Sequence, residues 1–187
     1  MTPEPPAPAA VSTVVAWVSL GANLGNRTEA LGALRAALVG GPVHLEAASR
    51  ELLTRAVGVS RQPDFHNQVV RLRSDVPLPP AEWLARCDRA QRAAGRRPTY
   101  RWGPRRADAD VLLLGERGEL RADQAGVCVP HPELGNRPFL CALLAELDHG
   151  LRHPDGWLLS GSAGIFLSSP GCPQTGGSLP RPSAPRR

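Results

Sequence analysis

Apolar and polar positions change their spacing several times along the chain, and each change marks an element. Val14–Leu20 is a short apolar run that stops at Gly21, the pattern of a buried strand. From Thr28 to Val39, Leu31, Leu34 and Leu38 recur three and four residues apart, which predicts a helix closed by Gly40 and Gly41. Val43–Leu53 reads as a second strand with weaker patterning, and a polar loop, Arg55–Asp64, follows with Gly58 and Pro63. Phe65–Arg73 is a third strand, in which Phe65, Asn67 and Val69 share one face and Val70 and Leu72 the other. Pro80–Ala94 opens on proline and closes on Gly95, as helices do. Ala107–Leu114 is the fourth strand, and helical spacing returns at Phe139–Leu147. The order βαββαβ with a trailing helix predicts a ferredoxin-like α/β sandwich (an α+β layering) with extra C-terminal elements.

Residues 1–12 are rich in Pro and Ala, and residues 160–187 in Gly, Ser and Pro. Both lack periodic apolar positions and are expected to be disordered, leaving 13–159 as one folded domain. At 42% hydrophobic and 21% charged residues the composition is that of a soluble globular protein. No apolar run approaches the roughly 18 residues that span a bilayer. Met1–Ala10 has neither the basic nor the apolar region of a secretory signal, so the cytoplasm is the expected location. Cys87, Cys128, Cys141 and Cys172 form no CxxC pair, which argues against zinc and a disulfide framework and makes Cys87 and Cys141 candidate buried thiols.

The formal net charge is +5, and all 22 basic residues are arginines. Without lysine, neither a P-loop nor Schiff-base chemistry is possible. Arginine is well suited to gripping phosphate with two parallel hydrogen bonds. Only 4% of residues are aromatic, with no basic–aromatic interleaving, so nucleic acid is not the expected partner.

Asp108-Ala109-Asp110 opens the apolar strand Val111–Leu114. Alternation turns both carboxylates to one side, with α-carbons about 6.6 Å apart. Such a pair repels itself unless a cation intervenes, and Mg²⁺ accepts one or two carboxylates beside phosphate oxygens and water. Alone, the pair reads equally well as a solvated strand end. The preceding loop, Arg96-Arg97-Pro98-Thr99-Tyr100-Arg101-Trp102-Gly103-Pro104-Arg105-Arg106, sets phosphate clamps directly before it, the combination that phosphoryl transfer requires.

The segment from Arg101 to Leu112 closely resembles the signature of the 6-hydroxymethyl-7,8-dihydropterin pyrophosphokinases of folate biosynthesis. The resemblance continues in order through Val18–Arg27, Gln62–Asn67, Val129–Glu133, Asn136–Leu140 and His153–Gly156. It implies a ferredoxin-like fold and transfer of pyrophosphate from ATP to a pterin hydroxyl with release of AMP. It implies two Mg²⁺ ions on Asp108 and Asp110, with Asp110 helping to deprotonate the hydroxyl, and Arg96 and Arg105 in the catalytic set. ATP is implied to contact Asp88, Gln91, Arg105, Val111, His131 and Arg137. The pterin is implied to meet Thr54 and Val57 through backbone groups, Asn67 at its edge, Phe65 and Phe139 on its faces, and Trp102 on a closing loop. Arg55–Asp64 and Ala94–Trp102 have the composition of lids.

This chain has Asp88 where the family commonly shows Gln, Gln91 where it shows Glu, and Pro132 where an aromatic is usual. Two rival readings share the motifs: a Mg²⁺-dependent phosphotransferase with another acceptor, and a non-catalytic pterin- or nucleotide-binding paralogue. A monomer is expected.

Overall fold

The computed structural model describes residues 12–56, 62–99, 103–124 and 126–159. The expected disordered segments lie outside this set apart from Ser12, as do Val57, Trp102 and parts of both expected lids.

The elements run β1 (Thr13–Ala22), α1 (Arg27–Leu38), β2 (Val43–Ala48), β3 (Leu52–Thr54), β4 (Phe65–Leu78), α2 (Pro80–Ala93), β5 (Asp108–Leu114), β6 (Ala122–Gln124), β7 (Val127–Val129) and α3 (Pro138–Leu147). The main sheet has the order β2-β4-β1-β5, with β3 also paired to β4 and every pairing antiparallel. This is the expected ferredoxin-like arrangement, with the second strand broken in two. The break falls at Ser49, whose backbone N–H donates to Val69 O at 2.9 Å and whose Oγ accepts from Val69 N at 3.0 Å. β4 runs on to Leu78, beyond the expected end at Arg73, because its last residue pairs with Thr13 of β1. β6 and β7 form a small separate sheet.

β1 is central and covered on both faces, which explains its unbroken apolar composition. On one face Ala16, Val18 and Leu20 join a core with Leu31, Leu34 and Leu38 of α1 and Trp83, Cys87 and Ala90 of α2. On the other, Val15 and Trp17 join Val69, Leu112 and Leu140, Cys141, Leu143 and Leu144 of α3. Trp17 is pinned: its Nε1 donates to Gly115 O at 3.1 Å, and the Arg71 guanidinium lies 5.1 Å from the ring centroid. Arg71 and Arg73 share Glu46 and Glu116 as ion partners, so the charge above Trp17 is matched.

Helix ends follow their chemistry. Asn26 caps α1, its side chain accepting from Glu29 N at 3.2 Å. Arg86 of α2 donates to the carbonyls of Leu38 and Gly40 at 3.0 and 3.2 Å, placing a cation at the C-terminal end of α1. Cys87 and Cys141 are buried free thiols, as expected, and burial pushes both pKa values up. No described helix is long and apolar enough to cross a membrane.

Leu34 is 0% exposed, whereas Leu53 is 55% exposed. Leu34→Ala should therefore cost about 2–5 kcal/mol and Leu53→Ala less than about 0.5 kcal/mol, as measured by denaturant unfolding. Equal losses would contradict this division of the core.

Candidate active site

The acid pair stands at the start of β5, on the side of the sheet that α3 covers. Cross-strand register decides what it faces. Gly21 of β1 is opposite Asp108 on one side and Asn67 on the other, and Ser19 is opposite Asp110 and Val69. The acid strand and the Phe65–Asn67 strand are thus separated only by β1, which carries small residues at these two points. A β-carbon on Gly21 would meet Asn67 Oδ1 at 3.4 Å, Asp108 Cβ at 3.8 Å and Phe65 Cδ1 at 3.8 Å. The glycine keeps open the floor of a cavity of about 350 Å³.

That cavity is lined by Thr54, Phe65, Asn67, Arg105, Asp108, Asp110, Arg137 and Phe139 among others, so eight of the expected site residues converge on it. Asn67 is 8% exposed, and its Nδ2 donates to Thr54 Oγ1 at 2.8 Å, which fixes the amide beside Phe65. Tight turns through 131–137 deliver Arg137 and Phe139 to the opposite wall, with Leu134 N bonded to His131 O and Arg137 N to Leu134 O.

Arg96 reaches the cavity through Asp108. The end of α2 explains how: Gly95, with φ +82°, lets Gly95 N bond Arg92 O and Arg96 N bond Gln91 O, the Schellman closure. Arg96 leaves the helix in a fixed direction, and its Nη1 donates to Asp108 Oδ1 at 2.7 Å. Arg105 Nη1 donates to Asp108 Oδ2, also at 2.7 Å. Both oxygens of Asp108 are therefore held by guanidinium groups.

Asp110 differs. No described side chain donates a hydrogen bond to it, and burial first and the Asp108 carboxylate second push its pKa up to about 6, against the pull of Arg137, Arg105 and Arg96. His131 is half-buried two residues before the lining residue Glu133. Its backbone N–H donates to Leu112 O at 2.9 Å, and its Nδ1 accepts from Glu133 N at 3.1 Å, so the neutral ring carries its proton on Nε2. Burial first and Arg137 second push its pKa down to about 4, so it is neutral at physiological pH.

Three expected ATP contacts lie away from this cavity, on the α2 side of the sheet. Val111 is a core residue beneath the helices. Gln91 is 5% exposed and donates Nε2–H to Asp88 Oδ1 at 3.3 Å, while Asp88 itself is exposed. Sequence reasoning missed Ser19, Gly21, Arg55, Glu133 and Asn136 as lining residues. Ser19, Gly21, Glu133 and Asn136 fall inside the resembling segments Val18–Arg27, Val129–Glu133 and Asn136–Leu140, and Arg55 opens an expected lid, but residue type singled out none of them.

Asp108 and Asp110 supply hard carboxylate oxygens, and among the described residues no group of three or more His, Cys, Asp or Glu converges to hold a metal. Two carboxylates with the rest of the shell left to water and substrate is the donor set that suits Mg²⁺. Burial first and the Asp108 carboxylate second disfavour the charged form of Asp110, and a cation there would offset both.

A family model for 7,8-dihydro-6-hydroxymethylpterin-pyrophosphokinase matches residues 17–149. A protein of Synechocystis sp. named 2-amino-4-hydroxy-6-hydroxymethyldihydropteridine pyrophosphokinase is 38% identical over 134 residues, covering 71% of this chain and 65% of that protein. A like-named protein of Pseudomonas aeruginosa is 36% identical over 141 residues, 75% of this chain and 84% of its own length. One from Bacillus subtilis is 34% identical over 134 residues, 71% and 77% respectively.

A carboxyl whose pKa rises on folding costs stability wherever it is charged in the folded protein. For Asp110 the cost is absent below the ordinary value of 3.8 and complete above about 6. Substrate-free Asp110→Asn should therefore be more stable than wild type at about pH 7.5, by on the order of 1–2 kcal/mol, with the gain vanishing near about pH 4. Thermal melts across that range check this, and identical melting at the upper end would contradict it.

Proposed function

The chain belongs to the 7,8-dihydro-6-hydroxymethylpterin-pyrophosphokinase family, and on that premise we propose that it transfers the pyrophosphoryl group of ATP to the hydroxyl of 6-hydroxymethyl-7,8-dihydropterin. The observation that carries this reading is one cavity walled by both the acid pair and the Phe65, Asn67 and Phe139 set.

The hydroxyl oxygen attacks the β-phosphorus, the bond from that phosphorus to the α-phosphate oxygen breaks, and AMP leaves. Phe65 and Phe139 hold the flat pterin by its faces. Asn67, oriented by Thr54, reads its edge with the amide carbonyl. Arg96, Arg105 and Arg137 grip phosphate oxygens, and neutral His131 offers Nε2–H as a further donor. Asp108 and Asp110 would hold Mg²⁺, two ions by the family resemblance, which when bound would neutralise triphosphate charge. Asp110 also takes up the proton that the attacking hydroxyl loses. Most of the catalysis is positioning, so these groups must be set before the substrates meet.

Incubation with ATP, Mg²⁺ and hydroxymethyl-dihydropterin should yield AMP and the pterin diphosphate. ADP would indicate an ordinary kinase, and no turnover a binding paralogue. Asp108→Ala should lower turnover by at least about 100-fold while pterin binding survives. Phe139→Ala should raise the pterin KM by about tenfold or more and leave ATP affinity within about threefold, as measured by steady-state kinetics and calorimetry. An unchanged pterin KM would point to a different acceptor.

A further inference from the structure

Just beyond β1, Asn23 is 1% exposed and makes four hydrogen bonds to two segments that are distant in sequence. Its backbone N–H donates to Arg105 O at 2.9 Å, and its side-chain Oδ1 accepts from Arg105 N at 2.7 Å. Its Nδ2 donates to Gln62 Oε1 at 3.1 Å and to Pro63 O at 3.2 Å. The amide orientation is unambiguous, because Arg105 N can only donate and Pro63 O can only accept.

The two segments lead to opposite walls of the cavity. Arg105 holds Asp108 from its own side chain. Pro63 lies two residues before Phe65, and the intervening Asp64 carbonyl is itself held by Arg27 Nη1 at 3.0 Å. We propose that Asn23 is a positioning residue, joining the arginine–acid wall to the aromatic wall so that each is set relative to the other. The proposal rests on the pyrophosphoryl-transfer reading for its kinetic consequence, though not for its geometry.

The residue type follows from the task. An acceptor and a donor must sit on one short side chain, pointing to opposite sides. Aspartate would set an oxygen against the Pro63 carbonyl. Alanine would strand the Arg105 N–H and the Pro63 C=O without their partner, and glutamine is one methylene too long for the enclosed space. Asn23 touches none of the groups proposed to hold substrate except through the backbone of Arg105. Its loss should therefore misalign the reactants more than it weakens their binding.

Two full-length variants test this. Asn23→Asp keeps the acceptor for Arg105 N and removes the donor to residues 62 and 63. Gln62→Ala removes one acceptor and leaves β1 untouched, so it reports even if the first variant folds poorly. For Asn23→Asp, kcat should fall by at least about tenfold with both KM values within about threefold, since small misplacements cost rate steeply. Gln62→Ala should show the same pattern at roughly threefold. Amide hydrogen exchange of the substrate-free proteins should rise together in residues 62–65 and 103–107 for either variant. Unchanged kcat in both variants, or exchange that rises only in residues 62–65, would overturn the proposal. If wild type forms no AMP, the functional reading fails, and the exchange data alone still decide whether Asn23 couples the two walls.

Discussion

The site depends on one strand being unable to move. β1 is paired along both edges, to β4 and to β5, and its register sets which residues of those strands meet. Strands lie about 4.8 Å apart, so the acids of β5 and the Phe65–Asn67 segment of β4 stand about 10 Å apart across β1. Ser19 and Gly21 are small enough to leave that interval open. A slip of one residue would turn Trp17 from α3 towards α1 and α2 and set the Leu20 side chain in the cavity floor. The indole bond to Gly115 O and the guanidinium above the ring oppose such a slip. Packing at one end of the strand thus secures the chemistry at the other.

Charge in the cavity is balanced unevenly. Arg55, Arg96, Arg105 and Arg137 stand against Asp108, Asp110 and Glu133, four cations to three carboxylates, while His131 is neutral. Half-buried charges interact more strongly than exposed ones, so this small surplus favours a polyphosphate more than the overall +5 does. Arginine holds its charge at any accessible pH, so the cationic side of the balance does not titrate. The variable member is Asp110, whose raised pKa lets the surplus grow on acidification.

Most of the fold was legible from periodicity because the elements obey it. β1 is apolar throughout since both faces are covered, and α1 and α2 bury one stripe each. The break at Ser49 was not legible, since it depends on a side-chain bond to a strand 20 residues away. The extension of β4 past Arg73 was also hidden, because Ser74 and Asp75 look like a strand end until their partners are known. In the site, the acids, the arginines and the two phenylalanines stood out by residue type and by family resemblance. Gly21 and Asn23 lay inside the resembling segment Val18–Arg27 with no role attached, because a register and a pair of loops give them their importance, and neither is local information.

The altered positions on α2 obey the same physics. The family resemblance implies Gln and Glu where this chain has Asp88 and Gln91, so that the amide and the acid stand in exchanged places. The exchange preserves the bond between them, for an amide donor and a carboxylate acceptor one turn apart can pair in either order. It also changes where the negative charge resides. Position 91 is 5% exposed, and a carboxylate there would need compensation for lost hydration, whereas the exposed Asp88 stays in contact with water. A cost is left behind: Gln91 Oε1 is buried with no hydrogen-bond partner among the described residues, a penalty of about 1–3 kcal/mol. At position 91 a glutamine buries a dipole where a glutamate would bury a charge.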